Sequence, residues 1–472
     1  MNAKGYFIPE GVGFEPETLF FRNKFGEAEI EAPRPTRELA QQTIEKIELA
    51  RENHLLGTPV RKIAESIGRA SQNLSDKNYY LRKEAEETMP ITTGLSPPML
   101  SVGIDGLTRM FRKDKMLEML YSELGNPEYL DGFRESKAGE SRAFGKNLIV
   151  NVFGSGGVPG LQVIGIVNGL LIKSAVFSKP DSGEPNLPSI YLRAIADVDP
   201  KIAEAAAAFP WKGGSPEYAD LEAYVFGGRG NKDAVVIYGS NETIMEVGKK
   251  VNPECKFIAY PPRTGLIMIG KEKLTKGNVT SLSRRAAMDV CIYDQKACFS
   301  PQRIYVEAGG EVSPEEFAHA LSNEMDKLGK TLPVGQLTDY AKARINERKR
   351  TYQLQKALGN AEFFNPEGGF VVFDRNRALE TPITYRTVHV MPVENLSEVP
   401  VLIKPFEGHI QAVGIEAGDK RFEEYSDIFS RIGDTSRITT PGNMYIFPPA
   451  IHHDGRRNYD DGLVRWVDRI KK

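Results

Sequence analysis

The 472 residues carry 61 Lys and Arg against 63 Asp and Glu, a net charge of −2, with 40% hydrophobic and 26% charged residues. So even a balance supplies no electrostatic ground for a nucleic-acid or anionic-membrane partner, and the length predicts two or three domains. Cys255, Cys291 and Cys298 cannot build a disulfide framework and show no CxxC, and the six histidines show no ligand-type spacing. A reduced compartment and no metal site are expected.

The opening residues lack the basic start, apolar core and small-residue cleavage site of a secretion signal, which predicts a cytoplasmic protein. After an extended entry ending near Pro33-Arg34-Pro35, Thr36 is placed to cap a helix in which Leu39, Ala40, Thr43, Ile44 and Ile47 recur at helical spacing. A second helix is predicted over 60–74. PITTGLSPP (90–98) breaks the helical run, and a further helix is expected over 107–124.

At residue 148 the texture changes. The apolar run LIVNVF (148–153) is followed by GSGGVPG and then by the apolar stretch from Leu161, which meets Lys173 too early for a membrane span of roughly 20 residues. Strand, glycine turn and helix in that order are how an open parallel sheet builds a ligand site at its carboxyl edge. Strands are predicted at 176–178, 234–238 and 257–260, with a helix over 187–196, and the unit is expected to end near Pro261-Pro262.

Beyond that boundary, 289–293 and 303–306 read as strands bracketing a polar turn. Ser313-Pro314-Glu315-Glu316 is a capping signal for a helix through about Leu328. A long charged helix follows over 339–358, then strands at 369–373, 387–391 and 399–403.

Cys298 stands in that polar turn, DQKACFSPQ. A thiolate attacks a carbonyl or thioester when its pKa is lowered and substrate reaches it; the local sequence also leaves an inert buried cysteine open. Cys291 reads as core and Cys255 as a loop or edge residue. Ser300 with Pro301 shapes the turn, and Gln302 orients it. Arg263 and Lys271 read as phosphate contacts or as surface cations, and His452-His453 as an acid/base pair or as loop residues. Trp211 and Trp466 are expected to pack or to cover an interface.

DQKACFSPQRIYVE resembles the cysteine motif of the fatty acyl-CoA reductases related to the bioluminescence acyl-protein thioester reductase, a branch of the aldehyde dehydrogenase superfamily. MPVENLSEVP and DDGLVRWVDR resemble the same family, from about residue 100 to the chain end. The resemblance implies an α/β, aldehyde dehydrogenase-like fold with a Rossmann-type cofactor domain, an α/β catalytic domain and a small oligomerisation extension. On that pattern 1–99 is an N-terminal helical or extension region, 100–262 the NAD(P)-binding domain, 263–440 the catalytic domain with the nucleophilic cysteine, and 441–472 a segment packing on the cofactor domain or a subunit interface.

The implied reaction is reduction of an acyl thioester, either acyl-CoA or acyl-protein, to the aldehyde. Cys298 forms an acyl-enzyme, NADPH supplies hydride, and the backbone N–H of Cys298 serves the oxyanion. Gly154-Ser155-Gly156-Gly157 resembles the first cofactor turn, with Gly157 where the family's Asn is expected, which leaves backbone amides or Asn151 as the oxyanion donor. Lys179 resembles the superfamily lysine on the adenine-side ribose, where an ammonium also meets a 2′-phosphate. Gly239-Ser240 resembles the second cofactor turn, with Glu242 capping its helix. The segment RTGLIMIGKEKLTKG lacks the Glu-Leu-Gly-Gly pattern that supplies a hydrolytic base, which protects an acyl-enzyme from water unless Glu272 fills that place. A homo-dimer or homo-tetramer is implied. The same steps run in reverse describe a CoA-acylating aldehyde dehydrogenase, and a noncatalytic scaffold with this fold is the remaining alternative.

Overall fold

The computed structural model describes residues 3–137, 139–154, 158–377, 383–448, 450–459 and 462–470. The chain forms two compact units, one from Met1–Thr93, Leu100–Pro261 and Pro448–Lys472, the other from Gly94–Met99 and Pro262–Phe447.

The first unit is built on five strands, β1 (Leu148–Phe153), β2 (Ala175–Lys179), β3 (Ala206–Ala208), β4 (Asp233–Tyr238) and β5 (Lys256–Tyr260), in the order β5-β4-β1-β2-β3. All pairings are parallel. Every residue of β1 is buried, the unbroken apolar run of a strand covered on both faces. Leu148, Val150 and Val152 join a core with Leu39, Ile44 and Ile47 of the helix Arg37–Ala50 and with Phe177, Phe209 and Trp211. The alternate residues, Ile149 and Asn151, meet helix α1 (Leu161–Leu171). That helix lies hard on the sheet because Gly165 and Gly169 face it. A Cβ at Gly165 would come within 2.6 Å of Asn151 Oδ1, and one at Gly169 within 2.4 Å of Val176 Cγ2. Helix α2 (Asn186–Ala196) follows, capped by the buried Glu184, whose carboxylate accepts from the Asn186 and Leu187 amides at 3.1 Å.

Two small sheets complete this unit. One contains Ala3–Lys4, Pro16–Asn23 and Gly26–Pro33; the other pairs Val464–Arg469 with Gly139–Gly145 and that strand with Arg134–Ser136. The first gives the extended entry before Thr36 its pairing. Alternation of exposed and half-buried positions along Pro16–Asn23 marks a strand with one covered face. The helix expected over 107–124 is two, Pro97–Met110 and Lys113–Leu124, and Pro90 lies within a helix, Tyr80–Thr93, rather than ending one.

The second unit contains a seven-stranded sheet: β6 (Thr264–Ile269), β7 (Pro301–Glu307), β8 (Ala361–Phe364), β9 (Phe370–Asp374), β10 (Thr387–Val393), β11 (Ile410–Glu416) and β12 (Arg437–Thr439). The order is β8-β9-β10-β7-β6-β11-β12, with only β8 antiparallel to its neighbour. Its helices include α3 (Val279–Cys291), α4 (Pro314–Thr331) and α5 (Asp339–Ala357). The capping box is formed as the spacing predicts: Ser313 Oγ accepts from the Glu316 amide at 3.2 Å, and Glu316 accepts from the Ser313 amide at 2.8 Å.

Two predicted strands here are helical. Residues 289–291 end α3, whose buried Leu282, Ala286, Val290 and Cys291 recur at helical spacing, and 292–295 form a tight turn. Val399–Leu402 is a helical turn with Pro400 in its first positions, entered through the Asn395–Glu398 capping box. Short apolar runs do not by themselves distinguish a buried strand from a buried helix end.

Candidate active site

In the first unit the connection from β1 runs towards β2 and β3, while β4 and β5 lie on the other side. The carboxyl ends of β1 and β4 therefore flank the topological switch point, where open α/β sheets bind ligands. Gly154 follows β1 and Gly239 follows β4. The Gly154 amide donates to Tyr238 O at 2.8 Å, and a Cβ on Gly154 would stand 2.8 Å from Thr243 Cγ2, so a bare backbone is needed there. Ser155, Gly156 and Gly157 lie outside the described residues. Ser240 caps the helix Asn241–Gly248, its hydroxyl accepting from the Thr243 amide at 3.3 Å. Glu242 is a neighbour of that cap, and hydrogen bonding with Ser240 lowers its pKa.

Lys179 ends β2 and is 4% exposed. Its ammonium donates to Phe153 O at 3.3 Å and lies 5.9 Å from the Trp211 ring. Burial pushes its pKa down, while Asp181 and Glu222 pull it up. Glu222 itself is committed to the Trp211 indole, the Gly214 amide and Lys250. The residues at this edge fit a dinucleotide: bare glycines at the switch point, a capped helix start and an ammonium at the adjacent strand end.

Asn151, expected as an oxyanion donor, sits instead within β1 at 1% exposure, its amide against the Gly165 backbone and without a hydrogen-bond partner among the described residues. The alternation of the strand turns it under α1, away from the strand ends. Trp211 packs among Phe177, Phe209 and Phe226, as expected of a core residue. Trp466 lies on the edge strand Val464–Arg469 and meets Tyr129 edge-on.

Sequence reading missed an aromatic ladder. Phe153, Tyr238 and Tyr260 end three neighbouring strands in one register, stacked at 5.1 and 4.5 Å, and His453 meets Tyr260 edge-on at 4.6 Å. Burial pushes the pKa of His453 down, while His452 is exposed. Each ring is the last residue of its strand, a coincidence visible only once the strand ends are known.

In the second unit, Cys298 is half-buried in the turn that enters β7, whereas Cys255 and Cys291 are buried and their thiols pushed up to about 11. The turn is tightly held. Ser300 O accepts from the Gly265 amide at 3.0 Å, and a Cβ on Gly265 would lie 2.2 Å from Phe299 O, so β6 can pass the turn only as glycine. Gln295 donates to Pro301 O at 2.8 Å and to Thr387 O at 3.0 Å, and Gln302 donates to Gln295 O at 3.5 Å. Tyr293, Asp294 and Gln295 take left-handed φ values of 51°, 51° and 62°. Strain of this kind persists only where surroundings enforce it, and it concentrates at functional sites.

No acid stands on β6, all of whose residues are buried. Glu272 is engaged by the Gly418 amide and Arg421, each at 2.7 Å. Arg263 pairs with Asp434 at 2.5 Å, and the Lys271 amide donates to Glu307. Among the described residues no group of His, Cys, Asp and Glu could hold a metal ion, and no helix is long and apolar enough to cross a membrane.

Solved structures share this architecture along nearly the whole chain. A salicylaldehyde dehydrogenase from Pseudomonas putida G7 matches with a TM-score of 0.73 at 10% identity, covering 100% of this chain and 99% of that one. An aldehyde dehydrogenase of Mycobacterium tuberculosis complexed with NAD+ matches at 0.71 and 14% identity, covering 99% and 98%. The fold is that of the aldehyde dehydrogenase superfamily, a Rossmann-like unit with a second α/β unit. Within it, the family model of acyl-CoA reductase (LuxC) matches residues 56–466, and the chain belongs to that family. The long-chain acyl-protein thioester reductase of Photorhabdus luminescens is 24% identical over 469 residues, covering 97% of this chain and 91% of that protein. The Vibrio harveyi protein of the same name is 21% identical over 425 residues, covering 89% and 84%.

Proposed function

We propose that this protein is an NADPH-dependent acyl-thioester reductase that forms an aldehyde through an acyl-enzyme on Cys298, with a fatty acyl group on coenzyme A or on a carrier protein as substrate. The observation that carries the reading is Cys298 itself. It alone of the three cysteines is not fully buried, and it stands on a rigidly held turn in a chain of the acyl-CoA reductase family.

The Cys298 thiolate attacks the thioester carbonyl carbon, and a C–S bond forms as charge moves to oxygen. Collapse breaks the bond to the carrier sulfur, which leaves with a proton. A reduced nicotinamide, when bound, supplies the hydride that takes the acyl carbon to the aldehyde level. Cys298 then departs as thiolate, ready for another turnover. The Cys298 backbone N–H is the donor assigned to the oxyanion. Gly154, Gly239 and Ser240 would hold the dinucleotide at this edge, and the Lys179 ammonium would serve its phosphate-bearing ribose. The acid-free β6 and the engagement of Glu272 elsewhere support transfer to hydride over hydrolysis, because no carboxylate there is placed to activate water. A homo-dimer or homo-tetramer is the assembly proposed.

The test is NADPH oxidation by the purified protein with short, aromatic and long acyl-CoAs and with an acylated carrier protein, NADH being run in parallel. Turnover with one acyl class, lost in Cys298→Ala, is expected. No oxidation with any thioester donor overturns the reading.

A further inference from the structure

Arg437 is a half-buried cation beside the turn of Cys298 that neither the motifs nor the reaction above use. It opens β12, paired with Ala412 of β11. One edge of its guanidinium is fixed, since Nη2 donates to Asn443 O at 2.6 Å and also to Ile446 O. Its face lies 4.5 Å from the centre of the Phe447 ring, and Phe447 packs 4.9 Å from Phe299, the residue next to Cys298. The other edge, Nη1, is buried and has no hydrogen-bond partner among the described residues.

The loop that grips Arg437 is itself anchored. Asp289, at the end of α3, accepts from the Gly442 amide at 2.5 Å and the Met444 amide at 3.1 Å. Burial pushes Arg437 down to about 10, and the two groups that oppose this are the Asp289 carboxylate and the Cys298 sulfur. Burial likewise pushes Asp289 up to about 7, which weakens it as a counter-ion near neutrality. The cation nearest Cys298 in sequence, Lys296, lies over the Tyr385 ring and is drawn to Asp294. A guanidinium edge that is desolvated and left without an acceptor is costly unless an anion meets it.

We propose that Arg437 is a positioning residue for acyl transfer, its Nη1 edge holding Cys298 as the thiolate. The inference rests on Cys298 being the nucleophile. The thiol proton passes to solvent before substrate binds, and the sulfur lone pair then forms the bond to the carbonyl carbon as the carrier sulfur leaves and is protonated. Arg437 stays protonated throughout, stabilising charge and exchanging no proton.

The experiment is the pH profile of Cys298 alkylation by iodoacetamide, followed at the Cys298 peptide by mass spectrometry, for wild type, Arg437→Met and Arg437→Lys. The wild-type midpoint is expected well below the ordinary thiol value of about 8.5, with Arg437→Met raising it by about one pH unit or more, roughly a tenfold slower reaction at a pH below both midpoints. Arg437→Lys, which keeps the charge, should hold the midpoint nearer wild type. A merely structural role would not separate Met from Lys in this way. A wild-type midpoint at the ordinary value, or one unmoved in Arg437→Met, overturns the proposal. Should Arg437→Met not fold, Arg437→Gln keeps a donor to the Asn443 and Ile446 carbonyls and carries the same comparison. Alkylation needs neither cofactor nor thioester. A shifted midpoint without thioester reduction would therefore sink the proposed reaction and leave Arg437 standing, whereas turnover with an unmoved midpoint would do the reverse.

Discussion

The Asp294 carboxylate and the Arg386 guanidinium meet at 2.8 Å with side chains 2% and 1% exposed. Each lies in a run of three non-glycine residues with left-handed backbone, 293–295 and 384–386. Asp294 also accepts from the Gly335 amide at 3.0 Å, its own carbonyl accepts from the Tyr385 amide at 2.9 Å, and Arg386 donates to Leu332 O at 2.8 Å. Left-handed residues of this kind cost about 1–3 kcal/mol each, and the buried pair holds the two runs together at the approach to Cys298.

Breaking that pair should therefore destabilise the fold strongly. Asp294→Asn or Arg386→Met is expected to cost about 3–5 kcal/mol, because each leaves an uncompensated buried group. The double variant should cost less than the sum of the two. Urea unfolding of the four proteins measures this, and additive single effects would show that the residues do not act as a pair.

Cys298→Ala is expected to abolish thioester reduction while leaving cofactor affinity within about twofold, since the residues assigned to the dinucleotide lie in the other compact unit. Turnover by single-wavelength assay and cofactor titration by fluorescence decide it. Normal turnover in the variant would remove the covalent step.

Lys179→Ala should weaken NADPH binding by about tenfold or more and NADH binding much less, a loss in the range of a charge-assisted hydrogen bond. Equal weakening of both cofactors would leave the ammonium a structural role, tied to Phe153 O at the end of β1.

His389 of β10 predicts a pH dependence. Burial, with the Arg348 and Arg303 charges behind it, pushes the imidazole down to about 3, and it is held neutral against Arg348 at 3.3 Å and Tyr352 at 3.4 Å. Below the ordinary histidine value the unfolded chain binds a proton that the folded one does not. Stability is thus fully present above about pH 6.5 and falls as pH drops towards 3, by up to about 1.4 kcal/mol per unit from this group. His389→Gln should flatten the dependence of the urea midpoint between about pH 6 and 4. An unchanged slope would mean that His389 does not carry it.

Local chemistry was legible along the chain. The Thr36 cap, the Ser313–Glu316 capping box and the order of β1, its glycine turn and α1 follow from residues that interact within a few positions of one another. The motif around Cys298 was readable for the same reason. Short apolar runs were not, and 289–293 and 399–403 proved helical because burial makes both helix ends and strands uniformly apolar.

By itself the sequence determined the family and the strand, glycine turn and helix order at β1, and it singled out Cys298 as the candidate nucleophile, since each is carried by contiguous residues. Tertiary structure alone decided that Asn151 turns under α1, that Asp294 meets a partner 92 positions away, and that Arg437 is gripped beside the turn of Cys298. These placements depend on strand pairing and on which face of a strand a residue occupies. A single step in register reverses that face, and no local signal records it.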